Sequence, residues 1–122
     1  MFEYKLEVRG YELDSFDHVN NAVYLNYFEQ ARWDILKQKN LVEYFQENKL
    51  LLVVTETHIR YSHEATIYDE LIVRTEIKKE PPYLVFCHKL YNQKTKVKLC
   101  SADVKTLLTD DKRIPYDIPD YF

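Results

Sequence analysis

The sequence predicts an α+β domain in which a curved antiparallel sheet of five strands wraps around one long central helix. Three observations lead to this fold class. Apolar residues occupy every second position near the N-terminus, a helical spacing of apolar residues follows, and the two-residue period then returns in four further segments. The connections among these last segments suit antiparallel neighbours, and a single long helix needs a curved sheet to bury it.

The first two elements are a strand and the long helix. Residues 2–9 alternate apolar and charged side chains, as a half-buried strand does. From about residue 22 to residue 37, apolar residues recur at the spacing of one helix face, and Leu25 and Leu36 widen that face. A helix that is apolar over so much of its surface is expected to be covered on several sides. A second, short helix is expected at about residues 41–47.

The remaining four strands are expected at about residues 53–61, 71–78, 83–91 and 96–108. The segment "NQKT" at residues 92–95 is a polar connection suited to a hairpin between the last two strands. If residues 93 and 94 form the loop, Cys87 lies directly opposite Cys100. Both thiols are nevertheless expected to stay reduced, because disulfide geometry rarely suits directly paired strand residues.

Composition narrows the class of protein. A chain of 122 residues is expected to form one domain, residues 1–122, and the net charge of −3 offers no basic field for nucleic acid. No apolar run approaches the roughly 20 residues of a membrane span, and the alternating N-terminus does not resemble a signal peptide. The two cysteines do not have the spacing of a zinc site. We therefore expect a cytoplasmic protein without a metal site or disulfide.

The chain contains a single glycine, Gly10, where roughly eight would be expected from average usage. Other residues must therefore adopt the left-handed backbone conformation in turns. Asparagine tolerates this conformation better than most residues. Asn20, Asn21, Asn48 and Asn92 are the expected positions.

The segment most suggestive of chemistry is "FDHVNNAVYLNYFEQAR" at residues 16–32, which follows Asp14 by two residues. Asn20 is a favoured residue type for the N-cap of the long helix, and Asp14 is equally compatible with an ordinary turn. The first turn of a helix exposes backbone N–H groups that stabilise negative charge. A carboxylate beside such groups is the arrangement expected of a catalytic site.

Residues 11–32, "YELDSFDHVNNAVYLNYFEQAR", resemble the segment that opens the central helix in the hotdog-fold thioesterases. The resemblance is to the 4-hydroxybenzoyl-CoA thioesterase group and its relatives that cleave acyl-CoA or acyl-ACP. The shared residues are Asp14, His18, Val19, Asn20, Asn21, Tyr24, Tyr27, Phe28, Glu29, Ala31 and Arg32. The resemblance implies a hotdog fold and a thioester hydrolase that works as a homodimer or homotetramer, with no metal or redox cofactor and with sites built across the dimer.

The resemblance also implies roles for individual residues. Asp14 would serve as general base or nucleophile, and His18 and Asn20 would assist it. The backbone N–H groups of three residues would form the oxyanion hole: Asn21, Ala22 and Val23. Three aromatic residues are either core or wall of the acyl pocket: Tyr24, Tyr27 and Phe28. Simpler interpretations remain open, since His18 could bond only to backbone and Asn20 could act only as N-cap.

The chain departs from the family pattern at two places. Asp17 stands where the family commonly has Gly before the His, and it either changes the backbone shape that Gly allows, lies as a second acid near Asp14, or is a solvated turn residue. Before the third strand, where Pro and then Gly-Asp are common, this chain has Glu64 and then Tyr68 and Asp69.

A second polar group lies on or near the second strand and consists of His58, Arg60, His63 and Glu64. It is either a solvated sheet face, which we favour, or a set that meets the Asp14 loop of a partner subunit. The alternative function for the whole chain is a non-catalytic acyl-binding module in which Asp14 only stabilises a turn.

Overall fold

The computed structural model describes residues 1–122 and contains five strands and two α-helices. The strands are β1 (Phe2–Glu7), β2 (Leu51–Tyr61), β3 (Glu70–Glu80), β4 (Tyr83–Asn92) and β5 (Lys98–Thr109). The helices are α1 (Asn21–Gln38) and α2 (Val42–Glu47). A short 3-10 turn, Gly10–Glu12, joins β1 to the segment that precedes α1. The predicted order of elements is confirmed.

All five strands form one antiparallel sheet in the order β1-β3-β4-β5-β2. One face of the sheet packs against α1, whose buried residues are Tyr24, Tyr27, Phe28, Ala31, Ile35 and Leu36. The alternation of strand residues explains this, because every second side chain points to the helix. The two edge strands are β1 and β2, and most residues of β2 are exposed. Neither helix has the length and apolarity needed to cross a membrane.

An asparagine stands next to each end of α1. The Asn20 side chain accepts a hydrogen bond from the Ala22 N–H at 3.0 Å, which confirms the predicted N-cap. At the other end Asn40 adopts the left-handed conformation with φ 57°, while the Leu41 N–H donates to the Leu36 carbonyl at 2.8 Å. This arrangement satisfies carbonyl groups that the last turn of a helix leaves free.

The predicted positions of left-handed backbone are wrong. Asn20 caps α1, Asn21 begins it, Asn48 has φ −95°, and Asn92 ends β4. The residues that adopt positive φ are instead Asp17, Asn40, Lys49, Tyr68, Lys96 and Arg113. The tolerance of asparagine for left-handed backbone does not decide the conformation at these four positions, since a residue that begins a helix or ends a strand has negative φ.

The predicted pairing of the cysteines is also wrong. Cys87 lies opposite Asp103, and Cys100 lies opposite Leu90. The connection between β4 and β5 is longer than two residues, and the register shifts between Leu90 and Tyr91. As a result Cys100 is buried in the core beneath α1, whereas Cys87 is half-buried and lies among polar residues of the other sheet face. Both thiols are free.

Candidate active site

Asp14 lies in a tight loop between the 3-10 turn and α1. Its backbone N–H donates to the His18 carbonyl at 2.9 Å, and Leu13 and Val19 form an isolated antiparallel bridge that closes the loop. The Asp14 carboxylate oxygen Oδ1 accepts from the Phe16 N–H at 2.9 Å and from the His18 N–H at 3.4 Å. The other oxygen, Oδ2, accepts no hydrogen bond from the protein. The carboxylate is therefore oriented by one oxygen and free at the other.

Asp14 lines a cleft of about 500 Å³ between the start of α1 and the end of β2. We call this the Asp14 cleft. Its wall is formed by Asp14, Phe16, His18, Val19, Asn21, Tyr24, Tyr61, Ser62, His63 and Glu64. The cleft has polar groups on both sides, because the Asp14 loop provides one wall and the end of β2 provides the other.

The three amides proposed for an oxyanion hole differ in what they bond. The Ala22 N–H is used by the Asn20 side chain at 3.0 Å, and the Val23 N–H donates to the Asn20 carbonyl at 2.8 Å. The Asn21 N–H has no partner in the protein, and of these three residues only Asn21 lines the cleft. Of the three amides, only that of Asn21 is therefore without a protein partner at the cleft.

The two assisting residues are also placed differently. His18 is exposed, lines the Asp14 cleft and makes no side-chain hydrogen bond, so that its imidazole is free to meet a ligand. Asn20 does not line the cleft, and its side-chain oxygen serves the helix as a cap. Asn20 therefore fixes the start of α1 instead of facing the cleft.

The three aromatic residues fall into two groups. Tyr24 lines the cleft, and its hydroxyl accepts from the Ala65 N–H at 3.2 Å. Burial raises the pKa of the Tyr24 phenol. Tyr27 and Phe28 are core residues that do not line the cleft, since both are at most 2% exposed. Both side chains are thus packed inside this chain.

Tyr27 anchors the chain that leads into the Asp14 loop. Its hydroxyl donates to Oε1 of the buried Glu12 at 2.9 Å, and the same carboxylate accepts from the Arg9 N–H at 2.8 Å. Burial and the neighbouring Glu12 carboxylate raise the pKa of Tyr27. The Glu12 carbonyl in turn accepts from the Asn20 N–H at 2.9 Å. Glu12 therefore joins the segment before Asp14 to α1, a role that no sequence pattern indicated.

The polar group of the second strand does not act as one set. His58 and Arg60 line a charged hollow on the face of the sheet away from α1, together with Lys105 and Asp103. His63 and Glu64 line the Asp14 cleft of their own chain. The chain turns directly after β2, where the Ser62 and His63 N–H groups both donate to the Leu99 carbonyl. His63 and Glu64 therefore lie beyond the strand that carries His58 and Arg60.

Tyr61 and Ser62 also line the cleft and were not predicted from the sequence. Tyr61 is the last residue of β2, and its hydroxyl donates to the Asn21 carbonyl at 3.0 Å. This bond ties the end of β2 to the first turn of α1. Its partners are 40 residues apart, and no local pattern could have identified it.

Asp17 adopts the left-handed conformation with φ 61°, and so does Tyr68 with φ 64°. These are the two positions at which the family that the sequence resembles commonly has glycine and this chain does not. The backbone shape that glycine would allow is therefore retained here by residues with side chains.

A second concavity, of about 450 Å³, lies toward the other end of α1. We call it the apolar groove. It is bounded by α1, α2 and the start of β2, and its lining includes Arg32, Trp33, Leu36, Phe45, Leu51 and Val54. No group of three or more His, Cys, Asp or Glu side chains is placed to share a metal ion.

Comparison with known proteins places this architecture in a family. The model of the thioesterase-like superfamily matches residues 8–122. Long-chain acyl-CoA thioesterase FadM of Escherichia coli strain K12 is 35% identical over 75 residues, which are 62% of this chain and 57% of that protein. The chloroplastic acyl-acyl carrier protein thioesterase ATL3 of Arabidopsis thaliana is 27% identical over 119 residues, or 96% of this chain and 63% of that protein.

The chain thus spans less than two thirds of the length of either curated relative. Among solved structures, the probable thioesterase YbaW of Escherichia coli superposes with a TM-score of 0.85 at 24% identity, covering 95% of this chain and 89% of that one. This likeness confirms the hotdog fold that the sequence predicted. With its family model matched from residue 8 to residue 122, the chain belongs to the thioesterase-like superfamily.

Proposed function

We propose that the protein hydrolyses an acyl thioester of coenzyme A, or of acyl carrier protein, to the free acid and the thiol. One observation carries this proposal. The Asp14 carboxylate is held by two backbone N–H groups at Oδ1, its Oδ2 is free, and it shares a cleft with the unpartnered Asn21 N–H at the start of α1. The names of the two curated relatives support both carriers.

The proposed reaction uses these groups in a defined order. Asp14 Oδ2 takes a proton from water as the water oxygen attacks the thioester carbonyl carbon, and the carbonyl oxygen gains negative charge. The Asn21 N–H and the positive end of α1 stabilise that charge. The intermediate then collapses, the C–S bond breaks, and the departing thiolate takes the proton from Asp14.

A second route is direct attack by Asp14 Oδ2 on the carbonyl carbon. This route breaks the C–S bond and gives an acyl-aspartyl anhydride and the thiolate; water then hydrolyses the anhydride to the free acid and the Asp14 carboxylate, and the proton that this hydrolysis releases converts the thiolate to the thiol. Single-turnover hydrolysis in H₂¹⁸O detects the direct route when water attacks the aspartyl carbonyl of the anhydride, because the label then enters the Asp14 carboxylate. Attack of water on the thioester itself never labels Asp14.

The test of the function is thiol release from a panel of acyl-CoA and acyl-ACP substrates, comparing wild type with Asp14→Asn. Loss of a positioned base is expected to lower kcat by about 10²–10⁴-fold. Asp117→Asn is the matched control, because Asp117 is exposed and distant in sequence from the cleft. If wild type turns over no member of the panel but still binds acyl chains, the alternative of a non-catalytic acyl-binding module is correct.

We further propose that the protein works as a homodimer or homotetramer. The edge strand β2 is eleven residues long and carries the exposed apolar residues Leu51 and Val54, and the exposed Trp33 of α1 lines the same groove as these two. Antiparallel pairing of β2 with its copy would continue the sheet and cover these residues. Sedimentation equilibrium would measure the state, and a monomer at assay concentration would refute this part of the proposal.

The cytoplasm is the proposed location. The free thiols of Cys87 and Cys100 support it, since a reducing compartment keeps such thiols free. Fractionation of cells that express the full-length protein would measure the location directly.

A further inference from the structure

Thr66 lies in the turn between β2 and β3 and contacts the Asp14 loop from outside the cleft. Its hydroxyl donates a hydrogen bond to the Asp17 carbonyl at 2.9 Å. Its own N–H donates to Oδ2 of Asp69 at 3.0 Å, which fixes the position of Thr66 in the turn. Thr66 is not part of the cleft wall, so it is not expected to touch a bound substrate.

The hydroxyl of Thr66 and the carboxylate of Asp14 both form hydrogen bonds with the peptide unit that joins Asp17 to His18. The Asp17 carbonyl and the His18 N–H belong to one trans peptide plane, in which the oxygen and the hydrogen point in opposite directions. Thr66 holds the carbonyl on one side, and the His18 N–H then points to Asp14 Oδ1 at 3.4 Å on the other side. Rotation of this peptide would remove one of the two donors that orient the carboxylate.

The peptide needs such a restraint because of Asp17. Its φ of 61° lies in the left-handed region that residues with a side chain disfavour. Without the Thr66 bond, the Asp17 backbone is expected to leave this region and to carry the His18 N–H with it. A glycine at this position would have no such tendency.

We propose that Thr66 is a positioning residue for the hydrolysis: its hydroxyl fixes the Asp17–His18 peptide and thereby the orientation of the Asp14 carboxylate. This inference rests on the proposed function, since it assigns Thr66 a role in the reaction of Asp14. It predicts a specific kinetic pattern. Loss of the hydroxyl lowers kcat and leaves KM unchanged, because Thr66 lies outside the cleft wall.

The test compares Thr66→Val with Thr66→Ser. Valine keeps the branched shape and removes the donor, whereas serine keeps the donor. Misplacement of a reacting group is costly, and we expect kcat of Thr66→Val to fall by about 10- to 100-fold and that of Thr66→Ser to stay near wild type. Thr95→Val is the matched control, because Thr95 is an exposed threonine of the connection between β4 and β5, and its hydroxyl accepts from the Val97 N–H at 3.3 Å, away from the cleft.

Three outcomes would overturn the inference: an unchanged kcat in Thr66→Val, a loss confined to KM, or a loss that Thr66→Ser shares. A second measurement needs no substrate. Hydrogen exchange at the His18 amide is expected to be about tenfold faster in Thr66→Val than in Thr66→Ser, since the amide loses its fixed direction toward Asp14. Equal exchange rates would refute the proposed coupling. Absence of hydrolysis by wild type, with the exchange difference present, would refute the proposed function instead.

Discussion

The Asp14 cleft and the apolar groove lie toward opposite ends of α1, and they are held in different ways. In the cleft, Asp14 and Asn21 are positioned by backbone hydrogen bonds of a short loop. In the groove, Phe45 and Leu36 are positioned by burial in a small cluster that joins α1, α2 and β5. Loops with few buried side chains depend on directional bonds, whereas packed clusters depend on volume. Mutations at the two ends of α1 should therefore affect the protein in different ways.

The largest difference in the free energy of unfolding is expected between alanine variants of two phenylalanines, one at the groove and one at the cleft. Phe45 is 6% exposed and lies under the groove, with Tyr121 and Phe122 packed against it, whereas Phe16 is 78% exposed on the wall of the cleft. Phe45→Ala should lower the free energy of unfolding by about 3–5 kcal/mol through loss of burial and creation of a cavity. Phe16→Ala should change it by less than about 0.5 kcal/mol. Urea unfolding measures both, and similar losses would contradict the contrast.

The groove also contains a polar contact that reaches into the core. Arg32 lines the groove and donates through Nη1 to Nε2 of the buried His88 at 3.2 Å. The Nδ1–H of His88 then donates to the Thr75 hydroxyl, 2.7 Å away. This arrangement requires a neutral imidazole, because a protonated ring would direct a second N–H at the guanidinium. Burial, and next the charge of Arg32, lower the pKa of His88 to about 3.

The His88 contact predicts a pH dependence of stability. The unfolded chain takes up a proton on His88 below about pH 6.5, and the native protein does so only near pH 3. The neutral His88 therefore makes its full contribution to the free energy of unfolding above pH 6.5. As the pH falls, this contribution is lost at up to about 1.4 kcal/mol per pH unit. Between pH 6.5 and pH 5 this amounts to about 2 kcal/mol.

The variant His88→Gln isolates this contribution, because glutamine does not titrate. Urea unfolding of both proteins at pH 7 and pH 5 gives the change of stability with pH. Wild type should lose more stability than His88→Gln over this interval, since the carboxylates of the two proteins are the same. An equal loss in both would mean that His88 is protonated in the native state.

The sequence predicted the local contacts at the start of α1 but not the long-range ones. Asp14, His18 and Asn20 lie within a few residues of one another, so their loop and cap could be inferred from local preferences. The apolar spacing likewise predicted the helix and its buried face. Thr66 and Tyr61 could not be inferred, because their bonds to the Asp14 loop and to α1 join residues that are 49 and 40 positions apart. Long-range contacts of this kind leave no local pattern.

The predictions of the register of the last hairpin and of the left-handed residues were wrong for a related reason. The loop between β4 and β5 exceeds two residues, and the register shifts once more between Leu90 and Tyr91; together these changes move the partner of Cys87 from Cys100 to Asp103. At the end of α2, Asn48 keeps negative φ and the following Lys49 adopts φ 53°. The preference of asparagine for positive φ indicated the correct region there but not the correct residue, because the position of the helix end determines which residue adopts positive φ.

A smaller change in stability, of the opposite sign to that of Phe45→Ala, is expected in the turn beside the cleft. Tyr68, which is 69% exposed, adopts φ 64° in the turn that carries Thr66. The left-handed conformation costs residues with a side chain about 1–2 kcal/mol, and glycine avoids that cost but gains freedom in the unfolded chain. Tyr68→Gly should therefore raise the free energy of unfolding by about 0.5–1 kcal/mol. Tyr68→Ala keeps a Cβ and should bring no such gain, so equal stability of the two variants would show that the strain at residue 68 is absent in solution.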